Sequence, residues 1–98
     1  EDIYHPSERS DCRDTYHLFV IQVKNRDVLK KFLLKRKIET NIHYPIPIHK
    51  QRAFNKKIKL PNTEEQSKRI LSLPINQYIS KSEIKRVCDH IIQFVKEN

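Results

Sequence analysis

Two prolines, Pro45 and Pro47, lie two positions apart in segment 38–49, and they constrain the fold of this chain more than any other feature. Proline fixes φ and has no backbone N–H, and the residue before each proline is driven toward extended backbone. The segment is therefore predicted to be stiff and extended, and it can form neither a helix nor a central strand. It can hold His43 and Tyr44 in fixed directions, which suits a binding site, although a rigid structural crossover would have the same pattern.

Glycine is absent from the 98 residues, whereas an average chain contains about 7%. Phosphate-binding loops of the Walker and dinucleotide types need glycine for tight turns and for close approach of the backbone. No such loop is predicted here. Any phosphate must be held by side chains, by helix N-termini or by another domain.

The length suffices for one small domain. No apolar run approaches the ~18 residues of a membrane-spanning helix, and the acidic start does not have the pattern of a signal peptide. Methionine is absent, which we interpret as an indication of a fragment of a longer protein. Cys12 and Cys88 lack metal-ligand spacing. A disulfide between them is the alternative, and reduced thiols in a cytoplasmic protein are the simpler interpretation. Cys88 is predicted to lie in the core, on the apolar face of the last helix.

The net charge is +8, and a basic chain can bind nucleic acid through its phosphates. Basic side chains crowd into residues 30–37 and 56–59. Neither group alternates with a series of stacking aromatic residues, as binding to single-stranded nucleic acid requires. Solvated basic helix faces are the simpler interpretation, and nucleic-acid binding by a regulatory or interaction module is the less favoured alternative.

Hydrophobic periodicity divides the chain into alternating elements. The predicted strands span about 15–23, 39–43 and 72–75, and the predicted helices span about 26–36, 63–71 and the chain after Ser80, with a helical turn at 49–54. Residues 1–14 are polar and are predicted to connect to a domain at 15–98. Ser80 and Glu83 have the spacing of a capping box. The order predicts an α+β (α/β two-layer) domain, in which a small sheet of about three strands packs against helices.

The five histidines do not form a metal or catalytic pattern. His17 lies in the first predicted strand and is expected to be packed and hydrogen-bonded. His43 and His49 are six residues apart with no cysteine or acidic residue between them, which does not indicate zinc. No serine lies in a nucleophile elbow, and the acidic residues have explanations at helix ends. Local chemistry therefore predicts no catalytic residue, no cofactor ligand and no metal ligand.

Several short motifs follow one another in a recognisable order. They are YHLFVIQV at Tyr16–Val23, Arg26-Asp27-x-Leu29, Ile38-Glu39-Thr40, HYPxPxH at His43–His49, then Gln51, Ala53, Phe54, Pro61, Glu64, Ser67, LSLP at Leu71–Pro74 and Ser80-x-x-Glu83. In this order the chain resembles, over about residues 16–92, the C-terminal part of the DegT/DnrJ/EryC1/StrS family of sugar aminotransferases. HYPxPxH followed at this distance by LSLP is the most specific part of the resemblance.

The resemblance implies a fold-type I transferase that depends on pyridoxal phosphate (PLP). Such enzymes transfer an amino group, typically from glutamate, to a keto sugar attached to a nucleotide, and they act as homodimers. PLP and its lysine would belong to a large domain that is absent from this chain, so that residues 15–98 would be a small domain without activity of its own. Only His43 and Tyr44 carry over as contacts of the nucleotide sugar, and packing at a domain junction would explain the pair as well.

The resemblance also implies structural roles for His49, Gln51 and Phe54. It draws attention to Lys37, because relatives commonly have glycine at the end of this helix, where φ is positive. A lysine there is expected either to adopt positive φ at a cost of about 1 kcal/mol or to rebuild the turn. The sequence does not identify the sugar, the nucleotide or the carbon that receives the amino group.

Overall fold

The computed structural model describes residues 3–54 and 56–98. Its elements in chain order are β1 (Phe19–Gln22), α1 (Arg26–Leu34), a 3-10 turn (Ile48–Lys50), α2 (Pro61–Arg69), β2 (Ile70–Leu73) and α3 (Lys81–Glu97). The two strands pair antiparallel, with Phe19 opposite Leu73 and Gln22 opposite Ile70. The chain is thus a small α+β fold, as the sequence predicts.

The sheet of the described residues has two strands, so the prediction of about three strands is wrong. The predicted strand at 39–43 forms only an isolated bridge, in which Asn41 pairs with Ser72. The helix-ending turn at Lys37 comes shortly before it, and two prolines without N–H groups come shortly after it. Too few residues remain between these two features to extend a ladder.

The first strand is shorter than the predicted 15–23. Tyr16 has φ 51, which interrupts the extended backbone, so that pairing begins only at Phe19. His17 consequently lies outside the strand and is exposed, and its predicted packing inside the strand is wrong. On the other side of β1, Tyr4 bridges to Gln22 through two backbone hydrogen bonds of 2.8 and 3.0 Å. The predicted connecting segment thus begins alongside the sheet.

The core lies between α1, α3 and β2. Leu29, Leu33, Leu71 and Phe94 are fully buried there. The ring of Phe94 meets that of Phe32 edge to face, with ring centroids 5.3 Å apart. Burial of this apolar surface is the main favourable contribution to folding.

Helix α1 ends in a Schellman-type turn. The N–H of Lys37 donates to the carbonyl of Leu34 at 2.9 Å, and the N–H of Ile38 donates to the carbonyl of Leu33 at 3.0 Å. Lys37 has φ 58, so lysine does take the left-handed conformation that favours glycine. Ile38 and Leu33, the pair that such a turn brings together, both lie in the core.

Helix α3 starts as predicted. The Ser80 hydroxyl accepts from the N–H of Glu83, and the Glu83 carboxylate accepts from the N–H of Ser80. These bonds lower the pKa of Glu83. The prediction that Cys88 lies in the core is wrong, because α3 turns Val87 and Phe94 inward and leaves Cys88 exposed on the flank of the apolar stripe. None of the helices in the described ranges is both long enough and apolar enough to cross a bilayer.

Candidate functional site

His43 lies where the chain leaves its bridge to β2. Asn41 exchanges two backbone hydrogen bonds with Ser72, of 2.7 and 3.1 Å, and the Ser72 hydroxyl lies 2.9 Å from Nδ1 of His43. The half-buried His43 lines an open cleft of about 270 Å³, together with His17, Glu39, Thr40, Asn41, Ser72 and the chain from Leu73 to Ile75. Imidazole, carboxylate, amide and hydroxyl groups suited to an oxygen-rich ligand thus surround one opening.

Tyr44 faces a different opening. Its side chain is 70% exposed and lines a second cleft of about 220 Å³ between residues 46–48 and helix α2. The rings of His43 and Tyr44 meet edge to face, with centroids 5.4 Å apart. The two predicted site residues are therefore neighbours, but the structure does not bring them into one cleft.

His49 is buried and lies next to a carboxylate rather than in either cleft. Its Nε2 lies 3.0 Å from Oε1 of Glu64, and Nζ of Lys50 donates to Oε2 of the same carboxylate at 2.9 Å. Lys50 first, then His49 and the N–H of Leu60, lower the pKa of Glu64 to about 2. The carboxylate therefore fastens the end of the proline-containing segment to α2, which supports a structural role for His49.

The other two residues with predicted structural roles differ from each other. The amide of Gln51 donates to the carbonyl of Ile46 at 3.3 Å, which closes the turn that follows the second proline. Phe54 is exposed, so the described residues give it no packing role. Surface that is exposed within this chain is open to contact with another domain.

Two buried polar residues that fasten separate parts of the fold to each other were missed by sequence reasoning. Ser72 anchors the His43 segment, and Arg26 is buried where α1 begins. The Arg26 guanidinium donates to the carbonyls of Ser67 and Ile70 at 3.1 Å each, and so ties the start of α1 to the end of α2. The only sequence signal for either residue was its membership of a motif, since a partner 29 to 44 positions away along the chain leaves no local pattern.

An apolar groove lies beside the His43 cleft. It is lined by Phe19, Leu73, Pro74, Ile75, Ile79, Ile84, Val87 and Cys88. The stretch from Leu73 to Ile75 lines both the groove and the cleft. A body that covered the groove would therefore also form part of the wall of the cleft.

The lysines of the described residues lie at or near the surface of this chain. A Schiff-base lysine must be held in a pocket where its amine can lose its proton. None of the lysines in the described residues is buried. Lys30 donates to the carbonyl of Thr40, Lys50 pairs with Glu64, and Lys85 pairs with Asp89, which raises the pKa of Lys85.

Two of the basic residues around the end of α1 have partners within the fold. Lys30 is bound to the Thr40 carbonyl. The Arg36 guanidinium lies 3.4 Å from the ring centroid of Phe32 and donates to that residue's carbonyl. Two of the cations that contribute to the net charge thus have partners within the fold, and this favours the simpler interpretation over nucleic-acid binding.

The α+β fold and the HYPxPxH segment beside its clefts are the features expected of a sugar aminotransferase small domain. The model of the DegT/DnrJ/EryC1/StrS aminotransferase family matches residues 2–92. The chain belongs to this family.

Individual relatives agree with this assignment. The chain is 35% identical over 94 residues to a dTDP-3-amino-3,6-dideoxy-alpha-D-galactopyranose transaminase of Aneurinibacillus thermoaerophilus, covering 94% of this chain and 26% of that protein. It is 30% identical over 95 residues to a dTDP-3-amino-3,4,6-trideoxy-alpha-D-glucose transaminase of Streptomyces venezuelae, covering 93% of this chain and 25% of that protein. The crystal structure of a DegT DnrJ EryC1 StrS aminotransferase from Brucella abortus superposes with a TM-score of 0.88 at 30% identity, covering 94% of this chain and 26% of that one. The chain thus spans about a quarter of the length of these relatives.

Proposed function

We propose that this chain is the C-terminal small domain of a PLP-dependent aminotransferase that transfers an amino group from glutamate to a keto sugar linked to a nucleotide. In this proposal residues 1–14 connect to a large domain, residues 15–98 form the small domain, and a second subunit completes a homodimer. His43 and Tyr44 contact the nucleotide sugar. The two free thiols suit a cytoplasmic location.

The observation that carries the proposal is the family match over residues 2–92. Both curated relatives described above are named as transaminases of dTDP-linked amino sugars. In this proposal the large domain holds the cofactor, which agrees with the finding that no lysine in the described residues is buried. When bound there, PLP supplies the electron sink for moving an amino group.

The groove beside the cleft supports the division into domains. Its lining is almost entirely apolar; Ile84 and Cys88 are exposed, Val87 is buried and the other side chains are partly buried. A large domain packed on the groove would shield the part that is still in contact with water. The same contact would complete the wall around His43 along Leu73–Ile75. Excluding water from this cleft would strengthen the hydrogen bonds that His43 makes to a ligand.

The first test compares PLP binding by the 98 residues alone with PLP binding by the proposed full-length enzyme. The 98 residues alone, mixed with PLP and dialysed, are expected to retain no cofactor absorbance. A retained absorbance that disappears when a lysine of this chain is replaced would contradict the proposal. The full-length polypeptide that contains this chain is expected to retain PLP and to convert a dTDP-linked keto sugar and glutamate into amino sugar and 2-oxoglutarate, which mass spectrometry can follow.

The second test concerns the two proposed contacts. In the full-length enzyme, His43→Ala and Tyr44→Phe are each expected to raise KM for the nucleotide sugar by about 2- to 10-fold, the range for loss of one hydrogen bond. Their KM for glutamate should change little. Replacing Tyr78, which is exposed and lies outside both clefts, by Phe provides a matched control without effect. Unchanged KM values in both site variants would exclude the pair as substrate contacts.

A further inference from the structure

Ser72 directs all of its polar groups toward the segment that carries His43. It is 5% exposed on β2. Its N–H donates to the carbonyl of Asn41 at 2.7 Å, and its carbonyl accepts from the N–H of Asn41 at 3.1 Å. Its hydroxyl lies 2.9 Å from Nδ1 of His43. The backbone contacts fix where the segment passes, and the hydroxyl contact fixes how the imidazole is turned.

The hydroxyl also discriminates between the two neutral forms of the imidazole. A neutral histidine has one nitrogen that donates and one that accepts. If Nδ1 of His43 carried the proton, it would donate to Ser72 Oγ, and the buried serine O–H would lose the acceptor that faces it. If Nδ1 is bare, it accepts from that O–H and the pair is satisfied. An unpaired buried donor is unfavourable, so this contact favours the second arrangement, in which Nε2 carries the proton.

We infer that Ser72 is a positioning residue that holds His43 as the Nε2–H tautomer, so that this side chain offers a neutral hydrogen-bond donor to an oxygen of the nucleotide sugar. The ligand in this statement rests on the proposed function. The tautomer does not, because it follows from contacts within the chain. The bond from Ser72 occupies Nδ1 and leaves Nε2 as the nitrogen available to the cleft that His43 lines.

Nitrogen NMR measures the tautomer directly. We would label the histidine rings of the chain with ¹⁵N and record long-range ¹H–¹⁵N correlations at pH 8.5, where imidazole side chains are ordinarily neutral. Nδ1 of His43 is expected to have the downfield resonance of a bare ring nitrogen, and Nε2 that of a protonated one. His17, exposed in the same cleft, is the internal reference for a mixture of tautomers. A protonated Nδ1, or a His43 averaged like His17, would overturn the inference.

Two substitutions separate positioning from mere packing. Ser72→Ala removes the hydroxyl and retains the backbone pairing with Asn41, so the His43 resonances are expected to move toward those of His17. Ser72→Thr restores a hydroxyl on a residue suited to strands and is expected to restore the wild-type pattern. If Ser72→Ala lowers the melting temperature but leaves the nitrogen resonances of His43 unchanged, Ser72 only packs and the inference fails.

The full-length enzyme tests the donor role. Ser72→Ala is expected to raise KM for a dTDP-linked keto sugar by about 2- to 10-fold with little change in kcat, and Ser72→Thr should stay near wild type. If the NMR result is as expected while KM is unchanged in both Ser72→Ala and His43→Ala, the donor role and the proposed site fall together. The NMR measurement would in that case still establish that Ser72 stabilises the Nε2–H tautomer of His43. If the tautomer is wrong but His43→Ala still raises KM, the proposed function survives and this inference does not.

Discussion

The two flanks of the apolar stripe on α3 differ in what covers them. Phe94 on one flank is 1% exposed against α1, whereas Ile84 on the other is 47% exposed in the open groove. Both are large apolar side chains of the same helix, and no local feature of the sequence indicates which of them is covered. The difference shows that periodicity identifies an apolar face, whereas the identity of the covering partner is a tertiary property.

The same contrast separates the core from residues 44–60. Six large apolar side chains in this range are exposed: Tyr44, Ile46, Ile48, Phe54, Ile58 and Leu60. What holds the range in place is polar, chiefly the Glu64 carboxylate with His49 and Lys50. One region of the chain is therefore stabilised by burial and the other by a few hydrogen bonds, and four predictions test this division.

The largest expected loss of stability follows substitution of Phe94, on the flank of α3 that packs against α1. Phe94→Ala should destabilise the chain by about 3–5 kcal/mol, since it removes a fully buried ring and leaves a cavity. Ile84→Ala, in the open groove, should have an effect below about 1 kcal/mol, because half of its surface is already in water. Urea denaturation measures both. Should Phe94→Ala fail to fold, Phe94→Leu, which retains more volume, provides a measurable variant. Equal losses for the two flanks would break the comparison.

The second largest loss of stability is expected on removing the buried hydrogen bonds of the Arg26 guanidinium. Arg26→Met retains the aliphatic stem but removes the donors to the carbonyls of Ser67 and Ile70, and we expect a loss of about 2–3 kcal/mol. Arg26→Lys should recover only part of it, because an ammonium lacks the planar fork. Arg52→Met, at an exposed position, is the matched control and should change stability by less than about 0.5 kcal/mol. A similar loss of stability in Arg26→Met and Arg52→Met would show that the effect comes from the lost charge and not from the buried hydrogen bonds.

Features of the fold that depend on residues close together in the sequence could be predicted, whereas features that depend on contacts between distant segments could not. The start of α3 was predictable because its capping box lies within four residues, and the strained turn at Lys37 was predictable from the family pattern. The break at Tyr16 and the exposure of Cys88 were not predictable, since each depends on contacts made elsewhere in the fold. Of the site, the pair His43–Tyr44 could be named from the sequence. Its division between two clefts could not, because that depends on where β2 and α2 meet the segment.

The third prediction concerns the turn at Lys37, at the edge of the core where α1 ends. Lys37→Gly should stabilise the chain by about 1 kcal/mol, because glycine adopts φ 58 without the steric penalty of a Cβ atom. Lys35→Gly, two residues earlier with φ −58, should instead destabilise by about 0.5–1 kcal/mol. Both variants lose one lysine charge, so the opposite signs isolate the backbone effect. If both variants destabilised, the left-handed conformation of Lys37 would be excluded as a source of strain.

The smallest expected effect is the pH response of the region held by polar contacts. The pKa of Glu64 is about 2 in the folded chain against an ordinary value of 4.5, so its contribution to stability is complete above pH 4.5 and is lost as pH falls toward 2. Glu64→Gln should flatten this part of the curve of unfolding free energy against pH. Glu65→Gln, exposed next to it, should not. The loss should appear first as proteolytic cleavage within residues 44–60, because that region depends on the carboxylate whereas the core does not. Cleavage that begins in α1 or α3 instead would show that the two regions unfold together and that the division between them is wrong.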